Sequence, residues 1–563
     1  MRLYKLRIRN FRKIQDLTVR FSHGLSIIVG ENNAGKTAII DALRLILFSS
    51  RDHDALRLNE DDFRRGADGA PIEISCTFCD LNNDDEVHLQ ECLVDIGEGK
   101  FYAKINARAE FNNATRRANV KMWGGETEGG FLPSNLYDKL TSIYLQPLRN
   151  PESGLRPGRN SQVSRLIDCL TDENEYEQFE AIAKDANGKI CELEPVKNAK
   201  IDIDAQMTSI AGGELTQKIE LIFTDPIFHR IIAGLQPEIE GLPFSLNGLG
   251  YNNLVFTAAT LGTLRWSKQY SFRSILVEEP EAHLHPQLQV LLLQHLAKVT
   301  REEEGNEVQV IASSHSPILA SQAPIDSIIS VHETQDKVTA VSVCSIEYDP
   351  ALKKKLQRFL DATRAELFFA RRILMVEGIA EALLLPVLAR ISGGCLKDSS
   401  VTLLNAAGIN FNAFLPLFGN DRLGLPVAIL TDGDDTDKTG APSVVATGLK
   451  AKEAEIPNLR VEFSYITFEH ELACSQVLLP FMLDAYESLH PINGAALKSK
   501  IAELGTEEEK ADVFLAEFLR TRTSKGEFAQ ELAGLLEDEK LTFDVVPQYI
   551  RDALTFLGVI NNE

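Results

Sequence analysis

Two stretches of this sequence carry side chains whose types and spacing could do chemistry. In the first, Gly30, Glu31, Asn32, Asn33, Ala34, Gly35, Lys36 and Thr37 spell G-x-x-x-x-G-K-T between an apolar run, "LSIIV", and an apolar-periodic segment, "AIIDALRLIL". Glycines let such a loop wrap so that backbone N–H groups face phosphate oxygens, and the following helix N-terminus adds its dipole. Lys36 would reach the β- and γ-phosphates of ATP, and Thr37 would offer its hydroxyl to Mg²⁺. The second stretch, "VAILTDGDDTD", sets Asp432, Asp434, Asp435 and Asp437 at the end of a buried strand.

A phosphate loop needs carboxylates at the end of another buried strand, and "SILVEEPEAHLHP" supplies Glu278 and Glu279. Glu278 would hold Mg²⁺ through water and Glu279 would orient an attacking water. A third apolar strand, "VQVIASSHSP", ends at His315, placed to sense the γ-phosphate. With these motifs the chain resembles ATP-binding-cassette ATPases of the branch that contains the chromosome-maintenance and double-strand-break-repair ATPases. By that resemblance Glu279 is the catalytic glutamate, His315 the switch histidine and "EAHLHP" the D-loop. The family usually has Asp where this chain has Glu278. Such sites are completed in trans by a signature segment from a second subunit, for which "SLNGLGYNNL", with Ser245, Gly248 and Gly250, is the candidate. Gln146, after the apolar "SIYL", would be the Q-loop residue, with Arg149 beside it. His283 and His285 mimic a metal-ligand pair but read as structural in that loop.

The acidic stretch has three readings. An EF-hand-type loop fails, because counting from Asp435 puts Ala446 at the twelfth position, and counting from Asp432 puts Asp437 at the sixth, where Gly is needed. A solvated acidic turn is the bland alternative. The third reading draws on "RILMVEGIAEALLLPVLARI", a strand ending at Glu377 and then a helix carrying Glu381. A strand at "VTLLNA", a helix over about 410–419 and the strand "VAILT" follow, giving β-α-β-α-β. In a parallel sheet the C-terminal strand ends share one edge, so Glu377 can meet Asp432 and Asp434 there. Hard carboxylate oxygens suit Mg²⁺ or Mn²⁺, and two such ions can activate a water and stabilise a leaving oxygen in phosphodiester cleavage. "VEG" followed by "DGDD" resembles the Toprim domain of topoisomerases, primases and some nucleases.

The elements that must position these groups follow from the rest of the chain. At 563 residues several domains are expected, since one core rarely grows past about 300 residues. The composition, 44% hydrophobic and 25% charged, is that of an ordinary soluble globular protein, and the alternation of strands and helices around both motif sets gives the expected fold class, α/β. No apolar stretch reaches a membrane span and no signal peptide opens the chain, so the cytoplasm is the expected location. The eight cysteines show no zinc spacing beyond the lone pair Cys76 and Cys79, and no disulfide is expected. A net charge of −23 disfavours a nucleic-acid partner overall, yet the first twenty residues hold seven basic side chains against one acid, Asp16. The expected domains are a first ATPase part over 1–154, a helical insertion over 155–240 suited to dimerisation, a second ATPase part over 241–348, a linker helix over 349–371 and a Toprim domain with added helices over 372–563. No sustained heptad repeat fills the insertion; "SRLIDCLTDENEYEQFEAIAKDA" and "ELTQKIELIFTDPIFHRIIAGL" fit amphipathic helices.

An ATPase of this branch followed by Toprim resembles the OLD (overcoming lysogenization defect) nucleases, including the nuclease subunit of the Gabija anti-phage system. The resemblance rests on "FRKI", "GENNAGKT", "EEPEAHLHP", "SSHSP", "MVEGIAEALLLP", "LTDGDD", "TFEHELA" and "SKGEFAQELA" in that order. It implies that Glu377, Glu381, Asp432, Asp434 and Glu469 are metal ligands and that Lys525 stabilises the cleaved phosphate. It also implies ATP with Mg²⁺ at the first site, Mg²⁺ or Mn²⁺ at the second, a homodimer or higher homo-oligomer, DNA as substrate and a separately encoded helicase partner. The expected function is an ATP-regulated, metal-dependent DNA endonuclease in anti-phage defence. An ATP-driven DNA-binding clamp or sensor that does not cut is the alternative.

Overall fold

The structure is a computed structural model covering the chain; residues 50–54, 68, 98, 131, 134, 148–150, 159–160, 213, 214, 216, 218, 267–269, 302–306, 335–336, 362, 436–440, 538 and 561–563 fall outside the described residues. Eight strands come first: β1 (Arg2–Phe11), β2 (Ile14–Arg20), β3 (Leu25–Gly30), β4 (Ile72–Cys79), β5 (Leu93–Asp95), β6 (Phe101–Asn112), β7 (Arg117–Gly124) and β8 (Leu140–Leu145). A two-stranded ribbon, β9 (Glu238–Ile239) and β10 (Leu242–Pro243), precedes β11 (Phe272–Glu278), β12 (Gln309–Ser314), β13 (Ile328–Thr334) and β14 (Lys337–Ser342). The last four are β15 (Arg372–Val376), β16 (Val401–Asn405), β17 (Val427–Thr431) and β18 (Leu459–Phe463).

They form three main sheets. An antiparallel sheet runs β2-β1-β4-β6-β5, with β7 also on β6. The second sheet runs β14-β13-β3-β12-β11-β8 and is parallel except at β14. Strands β3, β11 and β12 are buried at every position, which is why they read as continuous apolar runs rather than alternating ones. The helix Lys36–Leu47 is sandwiched between these two sheets: its Ile39, Ile40, Leu43 and Ile46 share a core with Leu6 and Ile8 of β1 and with Leu276 and Ile311 of the parallel sheet. The third sheet, β16-β15-β17-β18, is wholly parallel. The helix Ile379–Ile391 and the C-terminal helices cover one of its faces.

Its other face is not independent of the ATPase. One continuous core joins Ile275 and Val310 of the second sheet to Ile373, Met375 and Ile429 of the third, through Leu356, Leu360, Leu367 and Phe368. The expected linker segment, a helix over Pro350–Phe359 and a 3-10 stretch over Arg364–Phe369, is therefore part of a shared core.

Two local expectations need correction. The segment at 410–419 forms two 3-10 turns, Asn410–Ala413 and Leu415–Leu417, rather than a helix, with Pro416 limiting the continuation. In "ELTQKIELIFTDPIFHRIIAGL" only Phe228–Ile232 is helical among the described residues; Pro226 and the Asp225–Ile227 turn start the helix late. The helices Gln162–Leu170, Glu173–Cys191 and Glu194–Ala211 do form in the insertion. The second carries a capping box from Asp172 and Glu175.

Candidate active sites

The phosphate loop leaves β3 at Gly30, whose φ of 146° and close approach to Val331 admit no side chain: a Cβ would lie 2.1 Å from the Val331 carbonyl oxygen. Asn33 and Gly35 also have positive φ, so the loop curls back over the helix start. The Lys36 ammonium donates to the carbonyls of Gly30 (2.7 Å) and Glu31 (2.6 Å). Burial lowers its pKa to about 8, against the opposing pull of Glu279, Glu281 and Glu31. A cation that only carbonyls and distant carboxylates offset is suited to receive phosphate. Asn32 and Asn33 are exposed, Ala34 is buried, and Glu31 accepts both of its 2.8 Å bonds from Arg371.

Strands β11 and β12 bring their ends beside this loop because β12 pairs with both β3 and β11. Glu278 is buried and accepts from Thr37 (3.1 Å) and from the Tyr144 hydroxyl (2.7 Å). Burial raises its pKa while those two donors oppose the shift. Glu279 has a left-handed backbone (φ 46°) and its carboxylate lies 3.6 Å from His315 Nε2. The imidazole pKa is lowered by burial and by Lys36, with Glu279 opposing. Glu281 is the residue sequence reasoning passed over: its carboxylate accepts from Ser314 Oγ (2.8 Å) and from the His315 backbone N–H (2.9 Å). It lies inside the D-loop motif, so its motif membership was visible but its bond to the histidine loop was not.

Gln146 is exposed just past β8, which flanks β11; Arg149 falls outside the described residues. The candidate signature starts in the 3-10 turn Phe244–Leu246 and enters the helix Leu249–Trp266, with Gly248 just before it. Gly250 packs against the His283–Leu284 turn, where a Cβ would sit 2.7 Å from the His283 carbonyl oxygen. His285 caps the next helix, accepting from Gln287 N–H (3.4 Å), which is a structural role.

At the second site β15 and β17 are parallel neighbours, so their ends meet. The Glu377 carboxylate accepts from the Thr431 hydroxyl and from the Asp432 N–H (3.0 Å). Asp432 accepts from the Phe468 N–H (2.8 Å) and Ser464 Oγ (3.2 Å). Gly433 lets the loop lie against the chain after β18, a Cβ there meeting the Ser464 carbonyl oxygen at 2.1 Å. Burial pushes the Asp432 carboxyl up to about 7, helped by Glu377, Glu469 and Glu381 and opposed by Lys525. Glu381 is raised by burial too. Glu469, buried in the short helix Phe468–Ala473, pairs with Lys525 at 3.0 Å. Asp434 is exposed, with φ 54° and its N–H on the Ile466 carbonyl (2.8 Å); Asp437 lies outside the described residues.

Glu377, Glu381, Asp432 and Glu469 therefore share one electrostatic neighbourhood with the Lys525 ammonium, whereas the exposed Asp434 takes no part in these interactions. The hard oxygens and excess negative charge of the four fit a divalent cation. Among the described residues, though, no three His, Cys, Asp or Glu side chains stand assembled as a metal-binding group. Glu377 directs one carboxylate oxygen, Oε1, to Thr431 and the Asp432 N–H, and Glu469 pairs with Lys525.

The fold and these two sites define a P-loop ATPase joined to a TOPRIM unit. A family profile described as an AAA ATPase domain matches residues 1–122 and 135–320, and one described as the overcoming lysogenization defect protein-like TOPRIM domain matches residues 368–434. The chain is 23% identical over 462 residues to Endonuclease GajA of Bacillus cereus (strain VD045), covering 79% of this chain and 77% of that one. It is 26% identical over 400 residues to the OLD nuclease of Thermus scotoductus, covering 67% and 72%. The solved C-terminal region of the Burkholderia pseudomallei OLD protein matches 34% of this chain and 98% of its own length, at 26% identity and a TM-score of 0.27. The chain belongs to the AAA ATPase domain family and carries an OLD-like TOPRIM domain over residues 368–434. Nucleotide and divalent-metal use follow from the two domains. Among the described residues no helix is long and apolar enough to cross a membrane.

Proposed function

We propose that this protein is an ATP-regulated, divalent-metal-dependent DNA endonuclease acting in anti-phage defence. The observation that carries the reading is the meeting of Glu377 and Asp432 at adjacent parallel strand ends, with Glu381, Glu469 and Lys525 near enough to shift the Asp432 titration. Glu377, Glu381, Asp432, Asp434 and Glu469 would hold Mg²⁺ or Mn²⁺. Bound there, two ions would supply an activated water and charge stabilisation for the leaving oxygen of a phosphodiester. Lys525 places an ammonium beside the same carboxylates, suited to a cleaved phosphate.

At the ATPase, Gly30 to Thr37 would bind ATP with Mg²⁺, with Glu278 on the metal side, Glu279 and His315 at the γ-phosphate, and Gln146 beside it. Ser245 and Gly248 of a second copy would complete the site, so the working form is a homodimer or larger homo-oligomer. The 155–240 insertion is its proposed contact. A separately encoded helicase is the proposed further partner and the cytoplasm the proposed location. Control by nucleotide is supported by the Arg371–Glu31 ion pair at 2.8 Å, because Arg371 immediately precedes β15, whose end carries Glu377.

The second reading is a DNA-binding clamp or sensor that does not cut, favoured by the lack of an assembled ligand trio among the described residues. Plasmid cleavage with Mg²⁺ or Mn²⁺, comparing wild type, Asp432→Ala and Lys36→Ala with and without ATP, separates the two. Cutting abolished by Asp432→Ala and altered in its ATP response by Lys36→Ala is expected. No cutting by any variant, with ATP-dependent DNA binding retained, selects the clamp.

A further inference from the structure

The basic N-terminal segment remains unused by either site, and the structure sorts its seven cations. Arg12 bonds Asp41 and Asp62, Lys13 bonds Glu333, Arg2 bonds Asp80, and Arg7 and Arg9 share Asp16. Lys5 and Arg20 are left, and among the described residues no carboxylate pairs with either. They are not scattered. The cross-strand register aligns Arg20 of β2, Lys5 of β1, Thr77 of β4 and Lys104 of β6 in one row across four strands. Strand alternation sends Leu6, Ile8, Ile74, Cys76 and Ile105 into the core and this row to the opposite face. Lys104 meets Glu126 only at 3.4 Å.

The row floors a groove of about 310 Å³, walled by Tyr4 and Tyr102. The two rings have centroids 5.9 Å apart, inclined at 38°. Tyr4 occupies the register irregularity between Leu3 and Lys5, which puts an aromatic ring on a face that carries charged and hydroxyl side chains, with Val94 and Ile96 beside Tyr102. Cations at strand spacing, hydroxyls between them and a paired aromatic wall make the combination that grips a phosphodiester backbone while offering a base a surface to stack on. In a chain of net charge −23, a cation-lined groove draws polyanions to one place.

We infer that the Tyr4–Lys5–Arg20–Thr77–Tyr102–Lys104 groove is a docking site for single-stranded DNA, separate from both active sites. The inference rests on the proposed reading for its substrate class and extends it to a strand held on the ATPase. A bent or locally opened DNA would thereby be tethered to the same body whose core is continuous with the TOPRIM sheet.

The test is fluorescence anisotropy of a labelled single-stranded oligonucleotide, and of the corresponding duplex, against the full chain in EDTA across a salt series. Lys5→Gln/Arg20→Gln should weaken single-strand binding roughly tenfold and flatten the slope of log K against log salt by about 1.4, at about 0.7 per lost phosphate contact. Tyr4→Ala/Tyr102→Ala should weaken it by a similar factor with the slope unchanged. Lys13→Gln, on the same segment but off the groove, should bind as wild type. Unaltered single-strand binding in both double variants overturns the inference. Equal losses for duplex and single strand, with the tyrosine pair silent, also overturn it in favour of a duplex surface. Metal is absent from this assay, so failure of the nuclease reading, seen as no Asp432-dependent cleavage, leaves the groove result standing.

Discussion

Replacing Lys525 by Met tests the electrostatics of the TOPRIM site independently of any ligand. Glu469 has 3% of its side chain exposed and Lys525 49%, with 3.0 Å between them. Removing one partner of a fully buried ion pair costs about 3–5 kcal/mol, whereas exposed pairs contribute about 0–1 kcal/mol. With the carboxylate buried and the ammonium half in water, Lys525→Met should lower the unfolding free energy by about 2 kcal/mol. The cost comes from the stranded Glu469 charge, with Asp432 and Glu381 nearby adding like-charge repulsion. Glu469→Gln removes that charge and leaves a half-solvated lysine, so its cost should stay below about 1 kcal/mol. The double variant should be no worse than Glu469→Gln alone, giving a coupling of about 2 kcal/mol in a double-mutant cycle. Urea unfolding at pH 7 in EDTA measures all four corners. A Lys525→Met protein within about 0.5 kcal/mol of wild type would refute the reasoning. Cleavage assays add the functional half: DNA cutting should be lost in all three variants, including the double variant whose stability recovers.

Three further outcomes follow from other contacts. Gly433→Ala, whose Cβ would meet the Ser464 carbonyl oxygen at 2.1 Å, should cost about 1–3 kcal/mol and abolish cleavage by displacing Asp432; calorimetry and a plasmid assay check both. Tyr144→Phe removes the 2.7 Å bond to buried Glu278 and should cost about 1.5–3 kcal/mol, with slower ATP turnover in a phosphate-release assay. His332 is buried, its Nε2 2.6 Å from Ser330 Oγ, which in turn bonds the Phe368 carbonyl. Burial pushes its imidazole down to about 4, so between pH 6.5 and 4 the unfolded chain binds a proton that the folded one refuses. Stability should fall by roughly 3 kcal/mol over that window as pH drops. His332→Gln should lose that share of the acid sensitivity, and an unchanged pH dependence of unfolding would contradict it.

The phosphate loop was legible because its chemistry is local: strand, eight-residue turn and helix N-terminus are consecutive, and the glycines are fixed by backbone geometry within that stretch. The same holds for Glu278 and Glu279, announced by a buried parallel strand whose end must carry them. The β-α-β order also allowed Glu377 and Asp432 to be placed on one sheet edge, since parallel strands put equivalent ends together. Residues whose roles depend on a distant partner had no such signal. Tyr144 gains its meaning from Glu278, 134 positions away, and Arg371 from Glu31, 340 away. Glu281 sat inside a visible motif, yet only folding showed that it holds the His315 backbone. The seven N-terminal cations counted equally as letters; cross-strand register and the placement of Asp16, Asp41, Asp62, Asp80 and Glu333 decided which of them are paired, leaving Lys5 and Arg20 without a carboxylate partner among the described residues.

The segment before the third sheet shows the same division. Its charged-to-apolar pattern over 350–370 predicted a single helix, since periodicity depends on neighbours three and four residues apart, but the chain forms a helix over Pro350–Phe359 and a separate 3-10 stretch over Arg364–Phe369. Whether its apolar face would close off one domain or fuse two was a matter of which surfaces it met. Tertiary structure decided that Leu356, Leu360, Leu367 and Phe368 join the ATPase sheet to the TOPRIM sheet in one core, because burying an apolar face is favourable against either surface and only the three-dimensional arrangement offers both at once.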